Sequence, residues 1–235
     1  MTTSTLTWLR LYAIAGILHL LLLLADHWQG LYASKCVLMP LLVGAVWAAR
    51  GYLPYRVCVF LSLALFFSWI GDIILMLAAP QAQGQFLAGL VAFLLAHLLY
   101  IATFRTEIAL SGGTTSVRRT VIALLPLAGC IVLLLYTLRE TLSHNGMWLP
   151  VGLYASIICA MWLAAFQRYG HVSQRGFWFA LLGATLFILS DSMIAIARFG
   201  APFAYYRAFI MLTYIAAQGL IVTGILYTWQ QKVKV

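Results

Sequence analysis

Residues 57–79 read VCVFLSLALFFSWIGDIILMLAA, an unbroken apolar run with one charged residue, Asp72. About 20 such residues cross the hydrocarbon of a bilayer as an α-helix, since lipid offers no partner to an unpaired backbone N–H or C=O. Seven more runs flank it, at 8–25, 31–49, 86–104, 120–138, 148–166, 177–197 and 209–229. Together they predict an all-α polytopic membrane bundle of about eight transmembrane helices, a single integral membrane domain over 1–235.

Composition agrees. The chain is 64% hydrophobic and 8% charged, where a soluble domain carries about 25% charged residues. A water-soluble fold could not bury so much apolar surface. Residues 1–7 are polar and no clean small-residue cleavage site follows the first run, so that run reads as a retained span rather than a signal peptide.

The net charge of +9 does not point to nucleic acid. Ten cations fall on one side of the bundle: Arg10, Arg50, Arg56, Arg105, Arg118, Arg119, Arg168, Arg175, Lys232 and Lys234. Four fall on the other: Lys35, Arg139, Arg198 and Arg207. The positive-inside rule then places both termini in the cytoplasm, as expected of a plasma-membrane protein. The four cysteines lack CxxC spacing and the five histidines lack HxxxH or HExxH pairing, so neither a metal nor a cofactor is expected.

The stretch SGGTTS at 111–116 is a flexible linker that divides the runs four and four. Phe67-Ser68-Trp69-Ile70-Gly71-Asp72 in the third run matches Leu186-Phe187-Ile188-Leu189-Ser190-Asp191 in the seventh, each placing a small residue directly before an aspartate. A 4+4 parallel repeat is the expectation, as in some transporters.

The chain has five acids. Asp26, Glu107 and Glu140 read as loop-edge residues, whereas Asp72 and Asp191 interrupt apolar runs. Each such insertion costs about 2.5–3.5 kcal/mol on the translocon scale, so a function is the default reading. Counted from Val57 and Phe177, both lie roughly 21–23 Å from the inner ends of their helices, at a common level in the outer half of the membrane.

Other polar residues converge on that level. They are Lys35, Arg198 (two turns after Asp191), Arg207, the pair His97 and Tyr100, and the pair Tyr214 and Gln218. Two carboxylates in a low dielectric supply a general acid and a general base, which suits cleavage of acetal-like or enol-ether bonds through an oxocarbenium-like transition state. A cation such as Lys35 or Arg207 suits a substrate phosphate, and an amphipathic substrate could enter sideways from the bilayer.

Several pieces fall in one order along the chain. They are Ser34-Lys35-Cys36 with Pro40, Gly71-Asp72, and Phe86-Leu87-Ala88-Gly89-Leu90 with Phe93, leading to His97-Leu98-Leu99-Tyr100. Then come Phe187 to Ser192 with Ile194-Ala195 and Phe199, Arg207 to Met211, Thr213-Tyr214 and Ala217-Gln218. In order and spacing this set resembles the YhhN-like lysoplasmalogenase family of membrane hydrolases, from the second run to the eighth. The resemblance implies cleavage of the vinyl-ether bond of a lysoplasmalogen, a lysophospholipid, to a fatty aldehyde and glycerophosphoethanolamine or glycerophosphocholine. It implies no cofactor. It makes Asp72 and Asp191 the catalytic pair, with Lys35 and Arg207 toward the headgroup phosphate. His97, Tyr100, Ser190, Tyr214 and Gln218 then become binding or orienting residues.

Three other readings compete. A proton-coupled transporter of a small molecule or lipid also uses midmembrane aspartates, though Gly/Pro breaks beside them are lacking. An intramembrane aspartyl protease would carry GxGD, and Trp69-Ile70-Gly71-Asp72 lacks the first glycine. A structural or receptor-like protein leaves the paired acids unexplained.

Overall fold

The computed structural model describes residues 1–79, 82–115 and 117–233, with Val117 and Arg119 described in backbone only. Ser116 of the linker and Lys234 of the charge balance lie outside the described residues, as does the Arg119 side chain.

The described residues form nine helices and no strand: α1 (Thr3–Leu24), α2 (Trp28–Ala48), α3 (Tyr55–Leu77), α4 (Gln83–Leu110), α5 (Val117–Thr137), α6 (Arg139–His144), α7 (Trp148–Gln167), α8 (Gln174–Phe199) and α9 (Tyr206–Val233). All but α6 are long and apolar enough to cross a bilayer, so the chain is a multi-pass integral membrane protein. Side chains cap several helix starts. Thr2 Oγ1 accepts from Thr5 N at 3.2 Å, His27 Nδ1 from Gly30 N at 3.1 Å and Ser173 Oγ from Gly176 N at 3.2 Å.

Neighbour relations in the second half follow those of the first. α3 packs on α4 as α8 does on α9, α2 on α3 as α7 does on α8, and α1 on α2 as α5 does on α7; α4 meets α7 across the halves, and α2 meets α9. α1 also packs on α9. The α8–α9 crossing is tight because small residues let two backbones touch. A Cβ at Gly183 would stand 2.8 Å from Ala217 O and 2.9 Å from Ile221 N, and one at Gly224 would stand 2.7 Å from Gly176 O.

Two expectations need correction. Residues 139–144, read as loop, form α6, which buries Leu142 against Phe86, Leu138, Met147, Val151 and Phe199 and so plugs the end of the bundle opposite the chain termini. Glu107, read as a loop-edge residue, is fully buried inside α4, which runs past the expected end at Phe104 to Leu110. The reason is its partner. Arg168, also fully buried, places Nε 2.9 Å from Glu107 Oε2, and Trp229 Nε1 donates to Glu107 Oε1 at 3.1 Å. A buried carboxylate needs such pairing, and the pair ties α4 to α9 and to the end of α7 at the end of the bundle that carries the termini.

Candidate active site

Asp72 and Asp191 stand at the same distance along their helices, about 25 Å from Tyr55 and Gln174 at the helix starts. One helical turn or two further on, the same faces carry Leu75 and Met76 on α3 and Ile194 and Arg198 on α8, and Ala79 follows just past the end of α3. Those residues line an open cavity of about 640 Å³ between the ends of α1, α2, α3, α8 and α9 that lie opposite the chain termini. Lys35 and Arg207 also line it, and Leu23, Leu31, Ile210 and Met211 give it apolar walls.

Asp72 is 4% exposed and lies behind Lys35, whose Nζ is 3.2 Å from Asp72 Oδ1. Its other oxygen accepts from Tyr214 Oη at 2.7 Å. Gln218 Nε2 donates to Tyr214 Oη at 3.3 Å and to Ser68 Oγ at 3.1 Å, and Gln218 Oε1 accepts from Tyr100 Oη. Tyr100, Tyr214 and Gln218 therefore form one buried network ending on Asp72. The spacing predicts that Tyr214 and Gln218 share a face, as they do here, and a satisfied chain of polar groups in an apolar interior holds its members in place.

Asp191 has a different partner. Tyr154 Oη, from α7, donates to Asp191 Oδ2. The acid faces a recess of about 40 Å³ lined by Leu90, Phe93, Val151, Tyr154 and Phe199, among others, beneath the α6 plug. That volume has room for one or two waters and no more. Leu75, Phe86 and Ile194 line both the recess and the cavity, so the two spaces adjoin. Close by, the rings of Phe93, Phe187 and Tyr214 pack edge to face on one another.

Two expected residues take other positions. Ser190 Oγ donates to Ile210 O at 3.2 Å, so it joins α8 to α9 and contacts neither acid. His97 is fully buried. Its Nδ1 lies 2.6 Å from Phe93 O and its ring packs edge-on against Tyr154 and Phe187, so it reaches Asp191 only through Tyr154. Arg207 is on the cavity wall with its guanidinium over Trp28.

Sequence reading missed Tyr154 and His19. Nothing in the apolar run of α7 marks Tyr154. His19, alone among leucines in α1, lines the cavity with Nδ1 2.8 Å from Ser34 Oγ. Ser34 Oγ donates to Gly30 O at 2.7 Å, so it accepts from His19 Nδ1–H. Among the described residues no cluster of three metal-ligating side chains occurs.

Comparison with known proteins is informative. The YhhN family profile matches residues 30–225. Lysoplasmalogenase TMEM86A of Bos taurus is 36% identical over 67% of this chain and 61% of its own length. Lysoplasmalogenase TMEM86B of Homo sapiens is 30% identical over 91% of the chain and 84% of its length, and Lysoplasmalogenase of Mycobacterium tuberculosis is 31% identical over 70% and 59%. Matched chain thus spans about three fifths of the TMEM86A relative. No solved structure matches significantly.

Proposed function

This chain belongs to the YhhN family, and from that premise and the site geometry we propose that it is a lysoplasmalogenase. It hydrolyses the vinyl-ether bond of a lysoplasmalogen to a fatty aldehyde and a glycerophosphoethanolamine or glycerophosphocholine. The observation that carries this reading is the adjoining of two spaces: a water-sized recess at Asp191 and a cation-walled cavity backed by the Lys35–Asp72 pair. The names of the relatives support it independently.

In the proposed mechanism the phosphate lies against Lys35 and Arg207, and the vinyl ether reaches the partition formed by Leu75, Phe86 and Ile194. Asp191, with one oxygen held by Tyr154, carries the proton. It protonates the vinyl carbon distal to the ether oxygen, leaving an oxocarbenium ion. Asp72, oriented by Lys35 and Tyr214, is the carboxylate that stabilises this cation and accepts a proton from the attacking water. The resulting hemiacetal breaks its bond to the glycerol oxygen, which takes up a proton as the aldehyde leaves. One water is consumed and no cofactor enters.

The loop charges support an orientation with both termini in the cytoplasm and the cavity toward the opposite face. The test of function is aldehyde release from a lysoplasmenyl lipid by purified protein in detergent, beside Asp72→Asn and Asp191→Asn. Aldehyde from the wild type that is lost in both variants is the expected result. Full turnover in both variants would sink the acid pair. Flux of lipid across proteoliposomes without aldehyde would return the chain to the transporter reading.

A further inference from the structure

His19 is a buried polar side chain of the cavity wall for which the proposed mechanism has no task. It interrupts an apolar helix, and its ring is anchored on one side. Nδ1 lies 2.8 Å from Ser34 Oγ, whose own proton goes to the carbonyls of Gly30 at 2.7 Å and Leu31 at 3.2 Å. Nδ1 is therefore the donor to Ser34. Nε2 bonds to nothing among the described residues and stays open to the cavity. The link between α1 and α2 uses one ring nitrogen, and the second is left for a ligand.

The depth of His19 matches that of the site. It stands five residues before the end of α1 at Leu24, Lys35 stands seven after the start of α2 at Trp28, and Asp72 stands five before the end of α3 at Leu77. All three thus lie about 8–10 Å along their helices from the open end of the cavity. Ser34 directly precedes Lys35, so the imidazole stands beside the cation assigned to the phosphate. The other uncharged polar rings of the cavity are nearer its mouth: Trp28 and Tyr206 begin α2 and α9, and Tyr32 is 42% exposed. A lysolipid brings to this depth one group that no residue of the mechanism binds. Its glycerol carries the phosphate on one end carbon, the vinyl-ether oxygen on the other and a free hydroxyl on the middle carbon. With the phosphate at Lys35 and Arg207 and the vinyl ether at Leu75, Phe86 and Ile194, that hydroxyl falls between them. A hydroxyl both donates and accepts, so it satisfies Nε2 in either charge state of the ring.

We propose that His19 is a specificity-determining residue of this site: Nε2 bonds the hydroxyl on the middle carbon of the lysolipid glycerol, and Ser34 holds the ring for that contact. The inference rests on the hydrolase reading for the placing of the phosphate and the vinyl ether. The contact does not depend on which head follows the phosphate. A site that bonds a hydroxyl discriminates against an analogue lacking it, because the polar group of the site is then left without that partner. Water entering an open cavity replaces part of the lost bond, so the discrimination is moderate.

The test separates binding from cleavage. Binding to the full-length protein in nonionic detergent is measured for a 1-O-alkyl lysophosphocholine, which has no vinyl ether to hydrolyse, and for its 2-deoxy counterpart. The hydroxyl lipid is expected to bind about tenfold tighter. His19→Phe is expected to bind both lipids alike, at the wild-type affinity for the 2-deoxy lipid. Ser34→Ala keeps the imidazole and frees it from α2; it is expected to narrow the gap, and it serves where His19→Phe does not fold. Equal binding of the two lipids by the wild type overturns the proposal, and this arm needs no variant. A gap that keeps its wild-type size in the folded variant also overturns it, since the contact then lies on another residue. The matching 1-alkenyl lipids are then assayed for aldehyde. A tenfold binding gap without aldehyde from either lipid would leave the hydroxyl contact standing and remove the hydrolase reading. Aldehyde at equal kcat/KM from both lipids, with equal binding, would do the reverse.

Discussion

Lys35 Nζ lies 3.2 Å from Asp72 Oδ1, so the acid that interrupts α3 also anchors a cation on the wall of the cavity. In the proposed mechanism the pair couples substrate binding to the acid that works on it. Lys35→Met removes the charge and leaves Asp72 with Tyr214 alone. It is expected to lower kcat/KM for aldehyde release by about 10²-fold and stability by about 1–3 kcal/mol, less than for a fully enclosed pair because Lys35 is partly exposed. Adding Asp72→Asn should recover the midpoint of thermal unfolding in detergent without recovering activity. If the double variant is no more stable than Lys35→Met, the two side chains are not coupled as the geometry says.

In the proposed mechanism Tyr154 is a positioning residue, since its hydroxyl donates to Asp191. Tyr154→Phe keeps the ring packing on His97. The expected outcome is a drop in kcat of roughly 10–100-fold with KM nearly unchanged. A change confined to KM would mean that Tyr154 meets the lipid rather than the acid.

The Glu107–Arg168 pair lies at the end of the bundle that carries the termini, away from the cavity, and both side chains are fully buried. Glu107→Ala strands a buried guanidinium and is expected to cost about 3–5 kcal/mol of stability, while an apolar replacement of both partners costs much less. Thermal unfolding reads the stability, and KM of the protein that remains folded should not move. Unequal stabilities in the reverse order, with the double replacement worse than Glu107→Ala, would contradict the ion pair.

At the α8–α9 crossing a methyl group has no room. Gly183→Ala would press on the backbone of Ala217 and Ile221 and is expected to destabilise by about 1–3 kcal/mol. Gly129 in α5 meets nothing within 4 Å, so Gly129→Ala should be neutral or stabilising by about 0.5–1 kcal/mol. Equal melting temperatures for the two variants would show that the helices have room to part.

Much of the site was legible because charge is expensive in lipid. Asp72, Asp191, Lys35 and Arg207 stand out against long apolar runs, and the i, i+4 spacing of Tyr214 and Gln218 marks a common face. The network from Tyr100 through Gln218 and Tyr214 to Asp72 is the structural form of that spacing. Tyr154 left no trace, because a tyrosine in an apolar helix reads the same whether it packs on lipid or bonds an acid. Glu107 misled for a related reason. Near the end of an apolar run a carboxylate is cheap if it meets headgroups and water, and its distant partner Arg168 could not be seen from spacing.

By itself, then, the sequence determined the class of fold, the number of membrane-crossing helices and the level at which two acids sit. These follow from local quantities: the apolar length of each run, the 1.5 Å rise per residue and the cost of a charge in hydrocarbon. Tertiary structure alone decided which side chain meets which acid, that α6 plugs the end of the bundle opposite the termini, and that the Arg207 guanidinium lies over the ring of Trp28. Those pairings join residues far apart in the chain, and they are set by how helices pack against one another, which no periodicity within a single helix encodes.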